Sequence, residues 1–461
     1  MAGIGFVLKK LTKQDNLTGM LRAYGHSAIA ATGPWLFTIL ALGAIMLVAN
    51  KLSTREIMYE FRLIIIYNFA FSLVFSSPVF MVATRYLADA IYEEDVTKAP
   101  AMMLGAIVIA FLTQIPFALW LYLYYADMTL DVAFSSIINY FLVTAIWIVG
   151  VFITALKDYR SVSWAFLIGT LIAVIASALL TDRFGTSGLL NGFSFGLTFI
   201  LAILVSRIFI EYPYPYVFFQ FTSYFGRYWQ LALSGFIYNA GAWVDKWIMW
   251  FAPEGSISPS GLHLYPNYDS AMFLAYLTIA PSMSLFILSI ETDFFEKYAR
   301  FYQDLQRKAT FHQIYMNHVN ILKSLLSSGR NFLVFQGAIT ILAIITAPAI
   351  FRWLDINFMQ LGIFRFGALG ALFQVLFLFF TIILSYFDNR KASLNIYIIF
   401  LLTNAIFTIV FLKLGFPFYG YGYFLSCVVT FIYAAIVTVR HVMKLPFHAF
   451  ITSNSSLKDE L

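Results

Sequence analysis

Apolar residues in this chain come in unbroken runs of roughly twenty, separated by short polar stretches and without sustained alternation of period two. A run of that length suits an α-helix crossing the ~30 Å hydrocarbon core of a bilayer, whereas a membrane barrel alternates residue by residue. The pattern predicts twelve spans, the first six near residues 26–49, 60–84, 101–125, 133–156, 162–181 and 187–210. The other six fall near 229–252, 270–290, 331–352, 365–387, 392–414 and 418–440. Both sets occupy similar lengths, which predicts five parts: an amino-terminal segment 1–25, a six-helix lobe 26–210, a linker 211–228, a second lobe 229–440 and a tail 441–461. An even split suggests a duplicated unit, although no residue-level repeat is visible. Residues 1–25 are polar and basic and lack the form of a cleavable signal peptide.

The longest connection, residues 291–330, has a different period. Phe294, Tyr298, Phe301 and Leu305 recur at helical spacing, with Glu296, Arg300 and Arg307 falling between them. An amphipathic cytoplasmic helix is predicted here, lying on the inner leaflet or docking a partner through Phe294, Tyr298, Arg300, Phe301 and Arg307.

Composition agrees with a membrane protein: 61% of residues are hydrophobic, 11% are charged, and mean hydropathy is +0.81. The net charge of +6 reports orientation more than a nucleic-acid partner. Of 29 Lys and Arg residues, 21 lie in the termini and alternate connections, against seven on the opposite side (Lys51, Arg55, Arg62, Arg183, Arg352, Arg365 and Lys413). That asymmetry predicts cytoplasmic termini in a bacterial inner membrane, and phospholipid as the surrounding medium. The last four residues, Lys458 to Leu461, spell a lumenal retrieval signal, but this topology puts them on the cytoplasmic face, so the match is read as coincidental.

No phosphate-binding P-loop occurs, and the six histidines never fall at the H-E-x-x-H spacing. The single cysteine, Cys427, excludes an internal disulfide and a thiolate cluster. Acidic residues gather in loops, as at Glu93, Glu94 and Asp95, where solvation accounts for them. No enzyme, cofactor or metal site is expected.

The candidate chemistry is inside the spans. Asp245 and Lys246 stand side by side in GFIYNAGAWVDKWIMWF, roughly two turns below the outer end of span 7. Ionisable groups at such depth face the bundle interior, pair with one another, or mark a transport path. Neighbours on a helix point about 100° apart, so Tyr238, Ala242, Asp245 and Met249 form one stripe and Asn239, Trp243, Lys246 and Trp250 the next. Lys246 is expected to be structural or to snorkel outward. For Asp245, a place on a substrate or proton path and a structural inter-helix bond both stand. Gly33 and Pro34 predict a bend in span 1, and Pro78, Pro116, Pro281 and Pro348 interrupt four more spans, as in transporters with broken helices. Asn68 and Gln114, with other amides in spans, suit hydroxyl-rich ligands or helix-to-helix bonds.

The opening MAGIGFVLKKL, the Gly33-Pro34-Trp35 turn, GFIYNAGAWVDKWIMWF, ETDFFEKY from Glu291 and PFYGYGY near residue 420 together resemble the PelG family over essentially the whole chain. That family is the inner-membrane component of a bacterial exopolysaccharide secretion system, similar to the MOP flippases. The resemblance implies two six-helix lobes around a central cavity, and export of Pel, an amino-sugar polymer. It also implies a cytoplasmic glycosyltransferase, a cyclic-di-GMP receptor and a membrane scaffold as partners. Two other readings stay open: an ion-coupled antiporter or lipid-linked oligosaccharide flippase on the same fold, and a non-transporting platform for a glycosyltransferase.

Overall fold

The computed structural model describes residues 38–48, 54–93, 99–156, 159–212, 219–282, 294–353 and 356–447. The expected bend at Gly33 and Pro34 lies outside these residues. Among the described residues the chain is almost wholly helical. Eight helical stretches are long and apolar enough to cross a membrane, and the described helices overlap every one of the twelve segments expected from hydropathy.

Contacts group the chain into two units, divided between Pro266 and Asn267. The first contains α1 (Thr38–Val48), α2 (Arg55–Tyr92), α3 (Ala99–Leu119), α4 (Leu130–Leu156), α5 (Tyr159–Glu211) and α6 (Trp229–Met249). α2 is its centre, packed on α4 and α6 and more lightly on α3. Leu63, Ile64, Ala70, Val82 and Ala83 of α2 have no exposed surface. α6, expected to open the second lobe, therefore packs within the first of these contact units.

α5 is two helices joined at Gly185, whose φ of 55° lies where only glycine is comfortable. The turn falls in the gap predicted between spans 5 and 6. The two arms come together through small residues: Gly192 sits on Ser177, and Gly196 on Gly169 and Ala173. This is the small-xxx-small arrangement that lets membrane helices approach backbone to backbone.

α6 is followed by a short hairpin, β1 (Ser256–Ile257) and β2 (His263–Leu264), paired antiparallel. It is tied down to the first half of α2: Tyr59 shares a hydrogen bond with Ser256 Oγ (2.7 Å), and Tyr67 donates to the His263 carbonyl (2.8 Å). Leu262 and Leu264 of the hairpin and Tyr265 just after it are buried. Burial pushes the Tyr265 phenol up to about 12, with the charge of Glu254 adding to the effect.

The second unit contains α7 (Pro266–Leu277), α8 (Phe295–Gln306), α9 (Phe311–Trp353), α10 (Gln360–Tyr386), α11 (Arg390–Leu414) and α12 (Tyr421–Met443). α12 packs along both α10 and α11. Gly370 and Gly422 make the close approaches: a side chain at Gly370 would strike Tyr423, and one at Gly422 the backbone of Thr408. α9 has 43 residues, about 64 Å at 1.5 Å per residue, so it runs well past the predicted span 331–352.

The expected proline interruptions are corrected at three positions. α2, α3 and α9 continue as single helices through Pro78, Pro116 and Pro348. At Pro78 the reason is local: the carbonyl of Val74, which loses its helical donor, accepts from the Ser77 hydroxyl at 2.6 Å.

Candidate functional site

α6 contains no proline and ends beyond Met249, where Pro253 and Gly255 allow the chain to turn. One side is fixed to α2 by aromatic contacts that run antiparallel. Trp250 stacks on Tyr67 (4.6 Å between centroids), Trp247 on Phe71 (5.2 Å), and Phe236 meets Phe75 (6.2 Å). Phe117 of α3 closes against Phe71 and Phe75. Gly235 lies so close to Met81 and the Ser77 carbonyl that no side chain fits there without displacing them. These contacts fix the rotation of α6, and with it the direction in which residues 245 and 246 point.

Asp245 is fully buried and Lys246 is 6% exposed. Lys246 Nζ lies 3.0 and 3.1 Å from the two carboxylate oxygens of Asp245 and donates to the Ala242 carbonyl at 3.0 Å. Each of these contacts is charge-assisted and short enough to be a hydrogen bond. Lys246 thus takes the structural role that stood open beside snorkelling, its ammonium reaching from its own stripe to the carboxylate on the next. A four-carbon stem spans the 100° between neighbouring positions, and an unpaired charge among these apolar side chains would carry a large desolvation cost. The result is an electrically neutral, hydrogen-bonded point inside an apolar helix.

Other predicted residues fall into three places. Tyr238, Asn239 and Trp243 are half-buried on α6, and Asn239 donates to the Gly235 carbonyl of its own helix (2.9 Å). Asn68 and Gln114 lie in polar networks inside the first unit. Asn68 donates to Asn139 Oδ1 (2.9 Å) and to the Ser136 carbonyl (3.2 Å), accepts from Tyr122 (2.6 Å), and Asn139 continues to Ser194 (3.0 Å). Gln114 accepts from Tyr140 (2.7 Å) and Thr144 (3.4 Å). All of these amides are buried and join α2, α3, α4 and the second arm of α5. The second unit has a counterpart in which Gln374 accepts from Tyr423, while Gln336 bonds Ser282 and reaches the Thr278 carbonyl (3.3 Å). Ser194 is not singled out by the sequence, and Tyr122, which by sequence reads as part of an interfacial aromatic belt with Trp120, Tyr124 and Tyr125, is instead buried and bonded to Asn68. Their signal was faint, since hydroxyls within apolar runs are common and only the fold aligns them.

The predicted amphipathic helix is present as α8, but its apolar stripe faces its own unit instead of lipid or a partner. Phe294 and Phe301 are buried with Ile314, Ile321, Phe379 and Ile383. Tyr298 donates to the Tyr386 carbonyl at 2.8 Å. Arg300 lies 3.6 Å from Glu296 on the outer face, an exposed pair that adds little stability, and Arg307 is exposed beyond it. Of the five docking candidates, Arg300 and Arg307 therefore stay on the surface. Among the described residues no cluster of three potential metal-binding side chains occurs.

Residues 1–450 match the family described as "PelG: Putative exopolysaccharide Exporter (EPS-E)". The fold is similar to that of an outward-facing multidrug-resistance MATE transporter of the MOP superfamily, with a TM-score of 0.67 at 12% identity over 92% of this chain and 96% of the other. A MOP superfamily transporter from Pyrococcus furiosus, reported for the reversed polarity of its binding pocket, aligns with a TM-score of 0.63 at 10% identity over 91% and 96% of the two chains. An inward-facing MATE transporter aligns at 0.60 and 10% identity, covering 91% and 95%. At these identities the likeness is one of fold. No curated protein matches the sequence.

Proposed function

Because the chain belongs to the PelG family of exopolysaccharide exporters, we propose that it carries an amino-sugar exopolysaccharide of the Pel type across the bacterial inner membrane. The family and the MATE-like fold make it a membrane transporter of a polysaccharide-type substrate and not an enzyme. On this reading it works beside a cytoplasmic glycosyltransferase, a cyclic-di-GMP receptor and a membrane scaffold. Both termini lie in the cytoplasm, an orientation supported by the charge asymmetry of the connections.

The observation that carries the substrate class is the neutral Asp245–Lys246 pair. A path for strongly anionic sugars gains from uncompensated positive charge, whereas here the one lysine in the middle of α6 is cancelled by its neighbour. A neutral polymer moving past such a point meets hydrogen-bonding groups and aromatic faces, with no fixed charge to hold it. The pair also weighs against the antiporter reading at this residue. A coupling cation would have to displace an ammonium that already contacts both oxygens of Asp245. Movement is driven by polymerisation or the membrane potential, since the chain has no nucleotide-binding loop of its own.

The test is reconstitution of the purified protein with a glycosyltransferase and a nucleotide sugar in sealed vesicles, with polymer measured inside. Polymer is expected in the lumen only when the transporter is present, and with no ATP added. Accumulation that depends on ATP hydrolysis by this protein, or that proceeds equally without it, contradicts the proposal.

A further inference from the structure

A groove of about 840 Å³ opens beside α1, and none of its described lining residues is among those assigned to transport. One wall is an apolar face of α1 that includes Ile39, Leu40, Met46 and Leu47, with Gly43 and Ala44 keeping it shallow. The opposite face of α1, Ala41 and Ile45, is buried, whereas Leu40 and Leu47 are 62% and 75% exposed. The second wall is the start of α2, where Arg55, Met58, Tyr59 and Arg62 follow one another at helical spacing on one face. Their spacing places the backbones of the two arginines about 10 Å apart along the axis. Tyr59 is held in place through its bond to Ser256. Glu60, on a neighbouring face, accepts from Thr186 at 3.0 Å and does not line the groove.

We propose that this groove binds an anionic phospholipid, with its phosphate on Arg55 and Arg62 and an acyl chain along α1. Guanidinium groups match phosphate oxygens in pairs, and basic pockets between membrane helices suit anionic headgroups. The volume falls within the range of roughly 300–1,000 Å³ usual for a bound small molecule. A free phosphate would leave the apolar wall unused. Among the described lining residues a sugar polymer would find Tyr59 as the one neutral polar side chain, and its hydroxyl is already bonded to Ser256.

Gly43 supplies a clean variant, because it lines the groove and a Cβ built there meets nothing within 4 Å. The experiment is native mass spectrometry of the full-length protein from nanodiscs of phosphatidylglycerol or of phosphatidylcholine, comparing wild type with Gly43→Leu and with the Arg55→Gln, Arg62→Gln double variant. Thermal unfolding of each variant serves as the folding control. Phosphatidylglycerol is expected to stay bound to the wild type, with retention falling about tenfold in both variants at unchanged unfolding temperature. Excess inorganic phosphate should not displace it. Equal retention of phosphatidylcholine, retention unaffected by either variant, displacement by inorganic phosphate, or displacement by the exported polymer overturns the proposal.

Discussion

Replacing Asp245 by alanine is expected to stop polysaccharide export and to reduce the yield of folded protein. The substitution leaves the Lys246 ammonium, 6% exposed, without the carboxylate whose two oxygens it contacts. Breaking a buried ion pair from one side costs about 3–5 kcal/mol, a large part of a typical domain's stability. Removing both charges differs physically from removing one. In an Asp245→Ala, Lys246→Met double variant no unpaired charge remains, and replacement of a buried pair by apolar groups is often neutral or better. Fluorescence-detected size exclusion should therefore show folded protein restored in the double variant, while secreted polymer, measured by a sugar-specific lectin, stays absent. Recovery of both would make the pair a structural element alone and remove it from the transport path.

The second large effect is expected at Gly192, in the second arm of α5. A Cβ there would stand under 3.0 Å from backbone atoms of Ser177, which cannot rotate away as a side chain could. Gly192→Leu forces the two arms apart and exposes the apolar contact between them. The cost should exceed the roughly 1–3 kcal/mol usual for overpacking, because backbone and not a rotamer has to move. Little folded protein should be recovered from membranes. Gly150→Leu on α4, where an added Cβ meets nothing within 4 Å, is the matched control and should unfold within a few degrees of wild type. Equal thermal stability of the two variants would show that the arms do not depend on this contact.

The glycines of α5 also show what was legible in the sequence. Gly188, Gly192 and Gly196 recur every fourth residue, as do Gly169, Ala173 and Ser177, and this spacing could have been read directly as a helix-to-helix contact. Hydropathy placed the helices because burying an apolar run in lipid is a local property of twenty residues. It placed their ends less well. α9 begins at Phe311, some twenty residues before its predicted span, because its polar first half is helical for reasons of packing. There Ile314, Ile321 and Leu325 meet Phe294 and Phe301 from α8. The amphipathic period of α8 was visible, but a periodicity cannot say whether lipid, a partner or the chain itself covers the apolar face. Asn68 and Gln114 were visible as polar residues in apolar surroundings. Their tyrosine and serine partners come from segments tens of residues away, which only the fold brings together. For Lys246 a structural role and snorkelling both stood open in the sequence, because helical geometry fixes where a side chain starts, while desolvation decides where a long one ends.

The most direct test of the account is the accessibility of the stripe that carries Asp245. With Cys427 replaced by serine and a cysteine placed by Ala242→Cys, one helical turn before Asp245, a membrane-impermeant thiol reagent is applied to either side of sealed vesicles while polymer is being made or with synthesis blocked. The account predicts labelling in the absence of nascent polymer and protection when polymer occupies the path. A position that no reagent reaches from either side, in a variant that still exports normally, would contradict it.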